Sequence, residues 1–142
     1  MKNFILLLFV LLAFTACKQS SESNTSETAA VVDSATAPIM SFEKESYDFG
    51  QITEGERVAY DFYFTNTGKT PLIITSAAAT CGCTVPEYPR EAVEPGQKGH
   101  IHVVFNSTGK SGMQNKVVTL TANTYTGTQE LHLIGDVKPK NN

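Results

Sequence analysis

The sequence predicts an all-β domain of two packed sheets, and three observations carry that prediction. Between Ile39 and Val137 the large apolar residues recur with period two, not 3.6. Clusters rich in Asn, Thr, Gly and Pro interrupt them at short intervals, as turns do. No segment carries a helical apolar stripe. The chain has 142 residues, and the roughly 100 that alternate are enough for one domain with its own core.

The first 16 residues stand apart. Lys2 supplies a positive start, and Phe4 to Phe14 is an unbroken apolar run of eleven. That is signal-peptide length, short of the ~20 residues a spanning helix needs. Small residues, Thr15 and Ala16, then precede Cys17. This arrangement resembles a bacterial lipobox, although Phe14 stands where most lipoboxes have Leu. The resemblance implies cleavage before Cys17, diacylglycerol on its Sγ and acylation, palmitate included, of the new N-terminus. Two or more acyl chains anchor a protein stably, whereas one is marginal. An ordinary cleaved signal with an incidental cysteine is the plainer reading.

Residues 18–38 contain eight Ser or Thr among 21 and no aromatic residue. So little apolar surface cannot offset the entropy of ordering, which predicts a disordered tether with a reach of roughly 25 Å. Asp33-Ser34-Ala35 resembles the short O-glycosylation site of Bacteroidetes, which makes Ser34 a candidate acceptor.

The strands follow in order. Ser41 to Phe49 contributes one or two short ones. Val58, Tyr60, Phe62 and Phe64 alternate with Ala59, Asp61, Tyr63 and Thr65, a half-buried strand with an aromatic inner face. The turn from Asn66 to Pro71 leads to a strand starting at Leu72–Thr75. Ile101, Val103 and Phe105 alternate with His100, His102 and Val104; Val118, Leu120 and Ala122 alternate with Val117, Thr119 and Thr121; Leu131 and Leu133 alternate with Glu130 and His132. About seven short strands favour an immunoglobulin-like β-sandwich over a small barrel. The antibody-type staple is missing, because there is no Trp and Cys81 and Cys83 lie too close in sequence to join two sheets. The expected organisation is signal peptide 1–16, lipidated Cys17 and tether to residue 38, sandwich 39–137, and a disordered tail 138–142.

Several stretches together resemble one known family. They are Tyr47-Asp48-Phe49-Gly50-Gln51-Ile52 with Gly55; Phe62 to Gly68; Pro71-Leu72-Ile73-Ile74; Cys81-Gly82-Cys83-Thr84; Pro95-Gly96 with Gly99; and Asn106 to Lys110 with Gly112, Lys116 and Asn123. The family is DUF1573, bacterial lipoproteins of unknown function abundant in Bacteroidetes and related to the immunoglobulin-like domains of abnormal-spindle and hydin proteins. The resemblance covers about residues 40–125. It implies the fold and a place in the cell envelope, at the periplasmic face or outer membrane, more firmly than any activity. Ala92 departs from it, standing where the family usually has Pro.

Cys81-Gly82-Cys83 is the sharpest chemical feature. In extended chain, residues i and i+2 face the same way, so both sulfurs can reach one soft metal such as Cu(I) or Zn(II). They can also reach each other if Gly82 lets the backbone kink. A redox dithiol, a metal pair and a structural clamp all remain open. His100, His102 and His132 share the outward parity of their strands and read as exposed histidines on a solvated surface; His100 and His102, at i and i+2, can bind a metal from one face of a sheet, a reading strengthened if the strand of His132 is their neighbour. Asp48 reads as a turn or strand-end hydrogen-bonder. Gly109-Lys110-Ser111 looks like the end of a phosphate loop, but the required glycine is Val104, and the charges of Lys110 and Lys116 read as a solvated hairpin. A formal net charge of −3 gives no footprint for nucleic acid. No nucleophile elbow or carboxylate pair points to an enzyme. The expectation is a non-enzymatic, lipid-anchored envelope module without a cofactor, held to the membrane through its N-terminal lipid and contacting a protein or glycan. The alternative is a periplasmic thiol-redox or soft-metal protein using Cys81 and Cys83.

Overall fold

The computed structural model describes residues 34–141. Every regular element there is a strand: β1 (Met40–Phe42), β2 (Ser46–Thr53), β3 (Arg57–Asn66), β4 (Ile74–Ala79), β5 (Thr84–Glu87), β6 (Lys98–Asn106), β7 (Gly112–Ala122) and β8 (Thr128–Lys138). They form two four-stranded sheets, in the orders β1-β3-β6-β5 and β2-β8-β7-β4. All pairings are antiparallel except β2 with β8. The molecule is therefore an open sandwich, not a closed barrel, with eight strands where the sequence predicts about seven. The extra one is β5, whose four residues include Pro86 and are too few to display a period.

The alternation read from the sequence sets which side chains meet. Phe62, Phe64, Ile101, Val103 and Phe105 from the first sheet face Val118, Leu120, Leu131, Leu133 and Val137 from the second, all buried. The opposite parity of β3, Ala59 and Tyr63, is exposed. At about 25 cal/mol per Å² of buried apolar surface, these two inner faces are the main source of stability. Gly99 is part of this fit: a Cβ there would lie 2.5 Å from Cζ of Phe64.

Three details differ from the sequence reading. First, Lys110 and Lys116 do not flank a hairpin. β6 and β7 belong to different sheets, so residues 107–111 cross from one to the other. Ser107 is fully buried in that crossing, donating to the Glu56 carbonyl at 2.8 Å and accepting from the Gly55 N–H at 3.0 Å. Second, Leu72 precedes β4 and forms an isolated bridge with Val93, after which a bulge at Thr75 shifts the β4 register. Third, the folded body starts before Ile39 and includes Lys138. Ala37 is buried, the Thr36 carbonyl accepts from Thr70 Oγ1 at 3.0 Å, and Lys138 ends β8 with an ion pair to Asp136 at 2.7 Å.

Candidate functional site

The candidate residues fall into separate places. Cys17 lies outside the described residues. Ser34, the first described residue, is exposed. Cys81 and Cys83 occupy the turn between β4 and β5 and are joined by a disulfide, with Cα atoms 5.2 Å apart. The Thr84 N–H donates to the Cys81 carbonyl at 3.1 Å, and the buried Thr84 hydroxyl sits 3.8 Å and 4.0 Å from the two sulfurs. A Cβ at Gly82 would meet nothing within 4 Å, so the turn stands open to solvent. Bridged sulfurs are not thiolates and in this state do not serve as metal ligands.

The histidines do not converge. His100 and His102 lie on β6 and His132 on β8, in different sheets. His102 Nδ1 pairs with Asp61 Oδ1 at 2.5 Å, His132 Nδ1 sits 3.2 Å from Asn115 Oδ1, and the His100 ring rests 5.8 Å from that of Tyr63. Among the described residues no three His, Cys, Asp or Glu are placed to hold a metal ion. Asp48 caps the bulge in β2, its Oδ1 accepting from the Gly50 N–H at 2.7 Å; it is a hydrogen-bonder as its sequence context predicts, but inside a strand and not in a turn or at a strand end.

What the fold does offer is edges. An end strand presents unpaired backbone groups unless something blunts it. β1 has only three residues, and β2 carries the Asp48–Gly50 irregularity. In β5 the bond from Asn106 N–H to the Cys83 carbonyl (2.8 Å) fixes which residues pair with β6. By antiparallel alternation Thr84 and Pro86 then face outward. The Thr84 N–H is already taken by Cys81, and Pro86 has none, so β5 offers no free donor.

β4 is different. The Thr80 N–H bonds the Val117 carbonyl at 3.0 Å, so Ser76 and Ala78 pair with β7 while the backbone groups of Ala77 and Ala79 point to the open side. Tyr88 covers only the start of this edge, its hydroxyl donating to the Thr75 carbonyl at 3.0 Å with the Arg90 guanidinium 4.1 Å over its ring. From Ser76 to Ala79 the side chains are small and uncharged, and no proline interrupts them. Sequence reasoning did not find that the alanine run beside Cys81 forms a sheet edge; low charge in a strand next to a turn is the signal that could have found it.

This geometry defines an immunoglobulin-like two-sheet sandwich. The chain belongs to the DUF1573 family, described as a protein of unknown function, whose model matches residues 40–137. No curated protein sequence matches it. Among solved structures it is similar to a protein of unknown function from Porphyromonas gingivalis W83, at 15% identity and TM-score 0.63, covering 73% of this chain and 49% of that one. It is also similar to a PapD-like (ASH) domain of human CEP192, at 11% identity and TM-score 0.58, covering 77% and 90%. Part of the secreted serine protease VesC from Vibrio cholerae matches at 16% identity and TM-score 0.56, covering 69% of this chain and 23% of the protease. The chain thus spans about half of the Porphyromonas protein and less than a quarter of the protease. At these identities the likeness concerns the fold alone.

Proposed function

We propose that the chain is a non-enzymatic, lipid-anchored binding module of the cell envelope that takes an extended segment of a partner protein along β4. The observation that carries the reading is the edge of β4: past its bulge at Thr75, Ser76 to Ala79 leave backbone groups open beside small neutral side chains, while β1 has three residues and β5 offers no free donor. An added strand gains affinity from main-chain hydrogen bonds and specificity from alternate side chains. Ala77 and Ala79 favour close approach of a partner backbone. The lipid would be carried by Cys17, behind the leader, and the Ser- and Thr-rich stretch after it suits a spacer between membrane and sandwich.

The test uses a photo-crosslinker at position 79 of the full chain in cells, with and without Ala77→Pro. Proline at 77 removes an outward N–H and leaves the β7 ladder intact, whereas Ala78→Pro removes a paired one and should lower the melting temperature. The expected result is one defined adduct of higher mass that Ala77→Pro abolishes at unchanged melting temperature. Equal capture in both proteins would refute strand addition, and an adduct at twice the chain's mass would make the occupant a second copy instead. Cys17→Ser should move the protein out of the membrane fraction or leave it uncleaved; full membrane retention of a processed Cys17→Ser chain would refute the anchor.

A further inference from the structure

A cleft of about 260 Å³ opens on the outer face of the first sheet, beside the disulfide turn. Its floor is apolar: Val104 of β6, Val85 of β5, which is 54% exposed, and Cys83. Its rim is polar and donates hydrogen bonds. Arg57 and Asn106 are direct cross-strand partners at the ends of β3 and β6, and partners in such a position have Cβ atoms about 5 Å apart. Lys110 comes from the chain crossing to β7, where its N–H bonds the Ser107 carbonyl at 3.0 Å and folds the turn back toward the cleft.

No Asp or Glu lines the cleft, and neither Arg57 nor Lys110 takes part in an ion pair found among the described residues. The carboxylates of the adjoining loop keep their charge but are held by backbone groups and not by these cations: Glu54 Oε1 accepts from the Gly109 N–H at 3.0 Å, and Glu56 Oε2 from the Thr53 N–H at 2.6 Å. Asn106 Oδ1 accepts from both the N–H and the hydroxyl of Thr108, at 3.0 and 2.8 Å. That fixes the amide and leaves its Nδ2 hydrogens to donate. Further in, burial and then the charge of Lys110 hold the Lys116 ammonium below its ordinary range.

We propose that this cleft binds an oxyanion, a carboxylate or phosphate group, carried on a short aliphatic stem. Arg57 supplies a planar fork suited to two oxygens, Lys110 a point charge and Asn106 a neutral donor. The stem lies on Val85 and Val104. The volume is below the ~300 Å³ at which drug-sized pockets begin, which limits the stem to a few carbons. The inference is independent of strand addition at β4, because it uses the outer face of the other sheet.

The experiment is an NMR titration of the ¹⁵N-labelled full chain in nonionic detergent with butyrate, butyl phosphate and butylammonium, which carry straight alkyl stems of three or four carbons. Butyrate or butyl phosphate should shift the Arg57 Nε–H and the Asn106 side-chain amide saturably, and the tighter of the two identifies the natural anion. Butylammonium should not bind. R57Q and K110Q should each weaken anion binding about tenfold or more, the usual cost of losing a charged hydrogen bond. Arg57 is exposed and Lys110 half-buried, and neither makes an ion pair among the described residues, so the melting temperature should hold and separate lost binding from lost folding. Shifts that never saturate, equal response to butylammonium, or R57Q and K110Q titrating like the parent would overturn the assignment.

Discussion

Asn66 ties together four segments of the sandwich, and its removal is the sharpest test of how this end is held. The residue closes β3 and is fully buried. Its Oδ1 accepts from the N–H groups of Ile39 (3.3 Å) and Gly68 (3.0 Å), and its Nδ2 donates to the carbonyls of Thr70 and Val93, both at 2.9 Å. Its own backbone bonds Gln97 and Gly96. Asn66→Ala deletes four side-chain hydrogen bonds. At a net of about 1 kcal/mol each, the loss is about 4 kcal/mol, reduced toward 3 where water reaches the partly exposed partners. Asn66→Asp keeps the shape but turns a carboxylate oxygen toward two carbonyls. The buried charge is disfavoured, so the new carboxyl should titrate above the ordinary carboxylate range when folded. A group whose folded pKa is raised binds its proton more tightly in the native state, so stability falls as pH rises through that interval. Asn66→Asp should thus be milder at pH ~3.5, where one O–H still donates, than at pH ~7. Urea melts of both variants at both values measure this. A cost below ~1 kcal/mol for Asn66→Ala, or a pH-independent cost for Asn66→Asp, would refute the reasoning.

The remaining predictions concern the core and the inner rim. Phe64→Ala should cost ~3–5 kcal/mol, because the ring is 1% exposed and packs on Phe42 and Gly99, while Tyr63→Ala, at 49% exposure on the opposite parity, should cost clearly less; denaturant melts in the reverse order would place the β3 register one residue off. The Lys116 ammonium sits 5.3 Å from the Phe105 ring centroid, and burial, then the charge of Lys110, lowers its pKa. A group depressed in this way contributes stability that rises as pH climbs through the lysine range. Lys116→Met should therefore not lower the melting temperature at neutral pH and should flatten its alkaline pH dependence, as melts across that range would record.

The inner faces were legible because period two is a direct consequence of strand geometry: Phe62, Phe64, Ile101, Val103, Leu131 and Leu133 could be placed from spacing alone. What spacing could not give was the partner of each strand. His100, His102 and His132 share a parity yet sit in different sheets, since the chain crosses between sheets at residues 107–111. A polar, glycine-containing segment reads identically as a hairpin and as a crossing. The buried roles of Asn66 and Ser107 escape a reading by spacing for the same reason. Their types are those of exposed turns, and only the fold reveals that their hydrogen bonds are made in the interior. The Cys81–Cys83 bridge stood among several options, because Cys-Gly-Cys fits a kinked disulfide and an extended pair equally well.

The disulfide turn acquires its meaning from what lies on either side of it. It ends β4, the edge whose backbone is open, and Cys83 forms part of the floor of the cleft under Arg57 and Lys110. Closing the turn with a covalent bridge restricts the backbone at the point where the chain leaves one sheet for the other. An open, neutral edge is an aggregation hazard for a sandwich on its own. β1 is short, β5 offers no free donor, and β2 and β4 each carry a bulge, so the open stretch from Ser76 to Ala79 is a local exception and not a general looseness of construction. Exceptions to otherwise consistent design concentrate at functional positions. The exception here stands next to a constrained turn and a donor-rich cleft, which concentrates the chemistry of the domain at one corner and makes that corner the place to look for a partner.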